Sequence, residues 1–563
     1  MTSFKTADYD AVIIGAGFGG IRALWEVRQL GLKVRCFEAG SDVGGAWYWN
    51  RYPGARTDSE AWVYAMNFTP GLSDQWNYHE RYPSQEEVQK YLSNVVGQSC
   101  PFTMWIIIDH FDMRKNIEFE TRVDSAHYDD TEGLWTVTTA NRLSVTCRYF
   151  IPATGPLSVA KDPPFPGLKS FKGEWYQSSN WPTKQVDFAN KRIAVVGTGA
   201  TGVQIIPKLA TVAKTLTVFQ RTPNYVLPGR NYVIDEYQAA KIKQTYDATW
   251  KHAKTHPFGL AMTSRGNKIE DEVDREEVRH VLDSGWETGG FHFQFETFDD
   301  IFTNQMSNDL ASDYIRQKIQ AIVQDPNTAE ILSPKYPFLS KRPPCGHFYY
   351  ETYNQANVKL VDISQDSIEL YEEGIRTGSG IEYEFDMIIF ALGFDAATGA
   401  LSEMDVRGSQ NKSLRETWKK KLETFAGILV PGFPNMFMIC GPHVPFGNMP
   451  VVVDIEVGWI GKTICHMEEK EFSTIHVSEK AVSAWSSHLV AEFQATLLKN
   501  SAKETGAWFV GANIPGKARE VLFYFGGVPN WNQWLNSEIE SSWESMELYP
   551  HASSNTTGKD RSD

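Results

Sequence analysis

Residues 9–40 read YDAVIIGAGFGGIRALWEVRQLGLKVRCFEAG, and this stretch decides the fold. The apolar run at 11–14 suits a strand buried on both faces. Gly15, Gly17 and Gly20 follow as G-x-G-x-x-G. The first permits a tight turn, the second lets backbone approach a pyrophosphate, and the third lets a helix pack closely on the strand. Phosphates then sit at the helix N-terminus, where unpaired N–H groups and the dipole favour negative charge. A second apolar run, 34–37, ends in Glu38, eighteen residues after Gly20, where a carboxylate can accept hydrogen bonds from ribose hydroxyls.

The pattern recurs at 191–225, KRIAVVGTGATGVQIIPKLATVAKTLTVFQRTPNY, with a strand at 193–196 leading into Gly197, Gly199 and Gly202. Thr198, Ala200, Thr201 and Gln204 are expected to bind the cofactor of this second site. Eighteen residues after Gly202 comes Gln220, followed by Arg221 and Thr222. No carboxylate is there to repel a ribose 2′-phosphate, and a guanidinium is there to bind one, so NADP fits better than NAD. A solvated strand-end arginine is the plainer alternative for Arg221 alone. Two such units imply an α/β protein with two Rossmann-like dinucleotide-binding domains, one for a flavin and one for a nicotinamide. The flavin belongs to the first, because residues 44–58, GGAWYWNRYPGARTD, are too rich in glycine and aromatics for an ordinary helix and are placed to fold over an isoalloxazine.

Composition narrows the function. The 563 residues carry a net charge of −15, which opposes nucleic-acid or anionic-membrane binding and favours small-molecule substrates. Six cysteines are scattered with no C-x-x-C pair, so neither a redox disulfide nor a zinc site is expected, and no metal at all. No apolar run reaches the roughly 20 residues of a membrane span, and the N-terminus lacks a signal-type stretch, so a cytoplasmic protein is expected. The tail 551–563 has no apolar anchor and reads as disordered.

The segment 44–58 resembles the type I Baeyer–Villiger monooxygenases. Gly44, Gly45, Trp47, Tyr52, Pro53, Gly54 and Asp58 match the family's G-G-x-W-x4-[FY]-P-G-x3-D element. A second hallmark, F-x-G-x3-H-x3-W-P, is nearly complete in FKGEWYQSSNWP at 171–182, with Gln177 in the histidine position. The likeness continues through 165–168, 336–344 (YPFLSKRPP), 349–354, 390–401 and 511–517. It implies an FAD domain interrupted by an NADP domain, which itself carries a helical insertion at 231–335. The expected boundaries are 1–150 and 385–550 for the FAD domain, and 151–230 and 336–384 for the NADP domain. Residues 231–335 independently favour helix, being rich in charged, helix-forming stretches between regions of buried-strand pattern.

By this resemblance NADPH reduces FAD, oxygen adds at flavin C4a, and the resulting peroxide attacks a ketone to give an ester or lactone. Such a site wants a cation that keeps its proton, and arginine qualifies at any ordinary pH. Arg342 matches the family's catalytic arginine and Asp58 the carboxylate that poises it. Lys341 becomes a candidate for the 2′-phosphate, Trp508 for the nicotinamide side, and Gly45, Trp47, Asp58, Tyr64 and Met449 for the flavin. Plainer uses stand beside these: a solvated Lys341–Arg342 dipeptide, a helix cap at Asp58, and ordinary packing for Trp508, Tyr64 and Met449. His443 lies near the family's substrate pocket and is read as incidental. Gln177 keeps hydrogen bonding but cannot titrate. Residues 97–108, GQSCPFTMWIII, look like a peripheral insertion.

Ketone and O2 are the expected partners, with a monomer or weak oligomer. The rival readings are a flavin monooxygenase acting on nitrogen or sulfur and a catalytically impaired flavin-binding redox protein.

Overall fold

A computed structural model of the chain describes residues 6–97, 112–268 and 274–550. The expected insertion beyond Gly97 and the tail 551–563 lie outside the described residues.

The strand Tyr9–Ile14 forms as its composition dictates. Ala11, Val12 and Ile13 are fully buried, because the strand runs in parallel between Val34–Phe37 and Ser144–Pro152. Ile117–Glu118 adds in parallel beyond Val34–Phe37. On the other side Val123–Asp129, Leu134–Thr139 and Ser144–Pro152 make an antiparallel meander. Asp405–Arg407 closes the far edge and completes seven strands. The chain therefore departs to opposite sides of Tyr9–Ile14, and the crevice at that strand's C-terminal end is where such sheets take their ligands.

The second sheet is wholly parallel, in the order Val358–Asp362, Thr215–Gln220, Arg192–Val196, Met387–Phe390, Glu174–Gln177. A parallel sheet must be covered on both faces, and Ile193 to Val196 and Met387 to Phe390 are accordingly buried apolar runs. Its reversal point falls at the end of Arg192–Val196, where Gly197 begins the second glycine turn. Residues 231–335 contribute the helices Glu236–Ala253, Arg275–Thr288, His292–Phe295, Gln305–Ile322 and Pro326–Leu332. Among the described residues they supply no strand to either large sheet.

Both expected crossings between the sheets fall early, and the one at 150 cuts Ser144–Pro152, whose Ile151 and Pro152 still pair with Ile13 and Ile14. A boundary at 385 cuts ahead of Met387–Phe390, yet this strand pairs with both Arg192–Val196 and Glu174–Gln177. The chain leaves the second sheet only after Phe390. Four consecutive buried residues form the body of a central strand, not a crossing.

Candidate active site

Both glycine turns close as the spacing requires. A Cβ on Gly20 would sit 1.7 Å from the Gly15 carbonyl oxygen, and one on Gly202 would sit 2.2 Å from that of Gly197. The helices that follow, Phe18–Gln29 and Ala200–Ala210, begin at Gly17 and Gly199 with no side-chain cap and no acidic residue in the first turn. Elsewhere Ser84, Asp235, Asn304 and Ser478 cap their helices by accepting an N–H. These two helix starts are left with donors and positive dipole ends for an anion. Gly199 has no heavy atom within 4 Å of where a Cβ would stand, and Gly199 and Ala200 are exposed. A dinucleotide pyrophosphate fits both turns.

Around the first turn, Gly44 donates its N–H to the Ala16 carbonyl at 3.0 Å, and Gly45 packs on Gly17 so closely that a Cβ would lie 2.9 Å from the Gly17 Cα. The segment 44–58 is thereby folded onto the turn. Trp47 donates its indole N–H to the Tyr64 hydroxyl at 3.1 Å, with the two rings edge to face, and Tyr64 packs edge-on against Phe18 at the start of the helix. Glu38 is buried, and its two oxygens accept the N–H groups of Ala16 and Gly40, each at 2.7 Å. Burial raises its pKa against these bonds. Met449 opens the helix Met449–Glu469, which also has no side-chain cap. The preceding Asn448 donates to the Val63 carbonyl at 2.7 Å, while its buried Oδ1 has no partner.

Asp58 and Arg342, 284 residues apart, meet at 2.7 Å from Oδ2 to Nη2. The Asp58 side chain is 4% exposed and its Oδ1 has no partner. No helix starts at this position, so the helix-cap alternative falls away. Burial disfavours the Arg342 charge, yet Asp58 holds its pKa above the ordinary value. The guanidinium also lies over the Phe291 ring, 5.5 Å from its centroid.

At the second turn, Thr198 donates to the Thr222 carbonyl at 3.2 Å, bringing the end of Thr215–Gln220 beside the glycines. Arg221 is exposed there. Lys341 is half-buried, and burial together with Arg221 and Lys161 lowers its pKa to about 8.

Three further side chains are engaged within the protein. Gln204, expected at the second cofactor, accepts the Tyr52 hydroxyl on its Oε1 at 2.8 Å and donates from its Nε2 to the Arg56 carbonyl at 3.0 Å. Pointing inward from its helix, it spends its amide tying the two dinucleotide units together. Trp508 packs half-buried against Phe446 and Phe523. His443 is buried, shares a hydrogen bond of 2.9 Å with the Thr424 hydroxyl and is pushed down to about 3 by burial, so it is a neutral structural side chain.

Sequence reasoning missed a buried charge network behind Asp58. Arg81 and His292 both bind Glu60 Oε1, at 2.7 and 3.0 Å, and His292 also pairs with Glu296 at 2.9 Å. Burial opposes the His292 charge, but the two carboxylates outweigh it and raise its pKa to about 9. Arg81 donates further to the Thr288 carbonyl at 2.8 Å, so the network fastens the helical segment bearing Phe291 to the loop bearing Asp58. These contacts span up to 232 residues, and no local motif announces them.

Two uncapped glycine turns and an arginine held on a buried carboxylate define a flavoprotein oxidoreductase that uses two dinucleotides. The flavin-binding monooxygenase-like family pattern matches residues 9–238. A Baeyer–Villiger monooxygenase from Pseudooceanicola batsensis is 41% identical over 96% of each chain. A phenazine N-monooxygenase from Lysobacter antibioticus is 37% identical over 97% of this chain and 98% of its own. Among solved structures, an OTEMO complex with FAD and NADP superposes with a TM-score of 0.90 at 38% identity, covering 97% of this chain and all of the other. The chain belongs to the Baeyer–Villiger monooxygenase family of flavin-binding monooxygenases.

Proposed function

We propose that the chain uses NADPH, O2 and bound FAD to insert one oxygen atom beside a ketone carbonyl, forming an ester or lactone with release of NADP+ and water. The Asp58–Arg342 ion pair carries this reading. FAD, once reduced by NADPH, supplies the activation of dioxygen. Gly15, Gly17, Gly20, Glu38, Gly45, Trp47, Tyr64 and Met449 hold the flavin. Gly197, Thr198, Gly199, Ala200, Thr201, Gly202, Arg221, Thr222, Lys341 and Trp508 hold NADPH.

Arg342 places a fixed positive charge where negative charge develops on oxygen during transfer, and a preorganised charge acts without reorganising at the moment of reaction. Asp58 keeps the guanidinium aimed, and Phe291 covers its face. Arginine suits the task because it has no proton to give up at ordinary pH.

The FAD unit comprises 1–152 and the chain after Phe390 to 550, with the NADP unit between them and the insertion at 231–335. The chain works in the cytoplasm as a monomer or weak oligomer. Its charge is strongly negative, and among the described residues no helix is long and apolar enough to cross a membrane. Incubation with NADPH and a panel of linear, cyclic and aryl ketones, followed by gas chromatography, tests the function. Wild type yields esters or lactones. Arg342→Ala retains FAD and NADPH-driven flavin reduction but forms no ester. An Arg342→Ala variant with wild-type ester yield would remove this residue from the chemistry.

A further inference from the structure

Three cations converge on the second glycine turn. Gly197 packs on the end of Met387–Phe390, where a Cβ would meet the Ala391 carbonyl oxygen at 2.5 Å. Two residues further on, the Gly393 carbonyl accepts the Lys161 N–H at 3.1 Å. On the opposite flank the Thr198–Thr222 bond fixes Arg221. Asn224 donates its amide to the Arg342 carbonyl at 3.3 Å, which fixes the neighbouring Lys341. Lys161, Arg221 and Lys341 thus stand on three loops gathered around the same turn, close enough that Arg221 acts on both lysines.

Among the described residues no carboxylate forms an ion pair with any of them. Among the described residues, Arg221 and Lys341 have no ion pair, and the Lys161 ammonium donates only to the Asn513 carbonyl, at 2.9 Å. The carboxylate that acts on Lys161, Asp395, is already bonded to Lys517. Burial and Arg221 lower the pKa of Lys161, as burial, Arg221 and Lys161 lower that of Lys341. Repulsion of the two half-buried lysines by each other and by Arg221 costs folding energy, and an anion bound among them returns it. Lys161 is also held deliberately in place. Gln177, where related sequences carry histidine, donates to the Lys161 carbonyl at 2.7 Å, and Asn513 donates to the Phe394 carbonyl at 2.9 Å.

We propose that Lys161 is a ligand of the NADP 2′-phosphate, completing with Arg221 and Lys341 the pocket that separates NADPH from NADH. This rests on the NADPH-dependent reading above. A phosphate dianion with three charged donors gains a charge-assisted bond that the same pocket cannot give to NADH.

The test uses the FAD-loaded protein and two adenosine fragments, 2′,5′-ADP and 5′-AMP, titrated by calorimetry. In Lys161→Gln, where an amide can still donate to Asn513, the Kd for 2′,5′-ADP rises about tenfold and that for 5′-AMP is unchanged. Lys161→Arg restores tight 2′,5′-ADP binding, and flavin absorbance in both variants reports an intact fold. An unchanged 2′,5′-ADP affinity in Lys161→Gln overturns the proposal. Equal weakening of both fragments overturns it too, since that is what a loosened 511–517 loop would do. A wild type that binds 2′,5′-ADP no better than 5′-AMP instead refutes the NADPH reading itself.

Discussion

Asp58→Asn isolates the role of the ion pair, because asparagine keeps the shape of the side chain and removes its charge. The lost contact is 2.7 Å long, with Asp58 4% and Arg342 29% exposed. A hydrogen bond to a charged partner in such surroundings contributes about 1.5–3 kcal/mol. If that energy serves to aim Arg342, ester formation falls roughly ten- to 150-fold at 1.4 kcal/mol per factor of ten. Flavin reduction by NADPH, which does not need the aimed guanidinium, changes little. NADPH oxidation and ester yield, measured in the same reaction, should therefore separate, with consumption continuing as product falls. A double-mutant cycle sharpens the result, because residues acting as one unit are not additive. Asp58→Asn combined with Arg342→Ala should be no worse than Arg342→Ala alone. Fully additive losses, or Asp58→Asn with ester yield within about twofold of wild type, would refute the reasoning.

Arg221→Ala should weaken NADPH by more than about tenfold while leaving NADH alone, the loss of a charge-assisted phosphate contact of about 1.5–3 kcal/mol. Flavin reduction followed against each nucleotide checks this. NADPH affinity should also fall as pH rises through about 8, where free Lys341 gives up its proton. Bound phosphate favours the ammonium, so the contribution is full below that pH and fades above it, while NADH affinity stays flat across the range. Glu456 is wholly buried, accepts the Cys440 N–H at 3.0 Å and has its pKa raised well above the ordinary carboxyl value by burial. The folded chain keeps that proton while the unfolded chain releases it above about 4.5, so this group lowers stability as pH rises. Glu456→Gln should gain stability relative to wild type between pH 5 and pH 8, by up to about 1.4 kcal/mol per pH unit, and an equal Tm difference from wild type at both ends would contradict the assignment.

What could be read from sequence was what repeats locally. The strand, turn, helix, strand and acid run at 9–38 and its counterpart at 192–221 are each contiguous, so their residues constrain one another within one supersecondary unit. Arg342 and Asp58 were found because flanking motifs resembled a family, although neither residue points to the other in sequence. The contacts of Gln204 could not be read locally, because Tyr52 and Arg56, which bond its amide, lie about 150 residues away. Lys161 sits in SVAKDPP, a stretch with no periodicity, and becomes significant only when Gly393 and Asn513 fold against it. The 385 boundary failed for a similar reason, since a buried four-residue run reads alike in either sheet.

The helices Phe18–Gln29 and Ala200–Ala210 begin without the side-chain caps that other helices of this chain carry. A missing cap leaves about 1 kcal/mol that the polypeptide does not supply for itself. A cofactor that binds only the folded state stabilises it by about 2.7 kcal/mol at a hundredfold excess over Kd. Differences of that size change the steady-state level of a protein in a cell several-fold, because proteases act on the unfolded fraction. The chain without FAD is therefore expected to be cleared faster than the loaded one, so that flavin supply sets the amount of polypeptide on a gel as well as the activity in an assay.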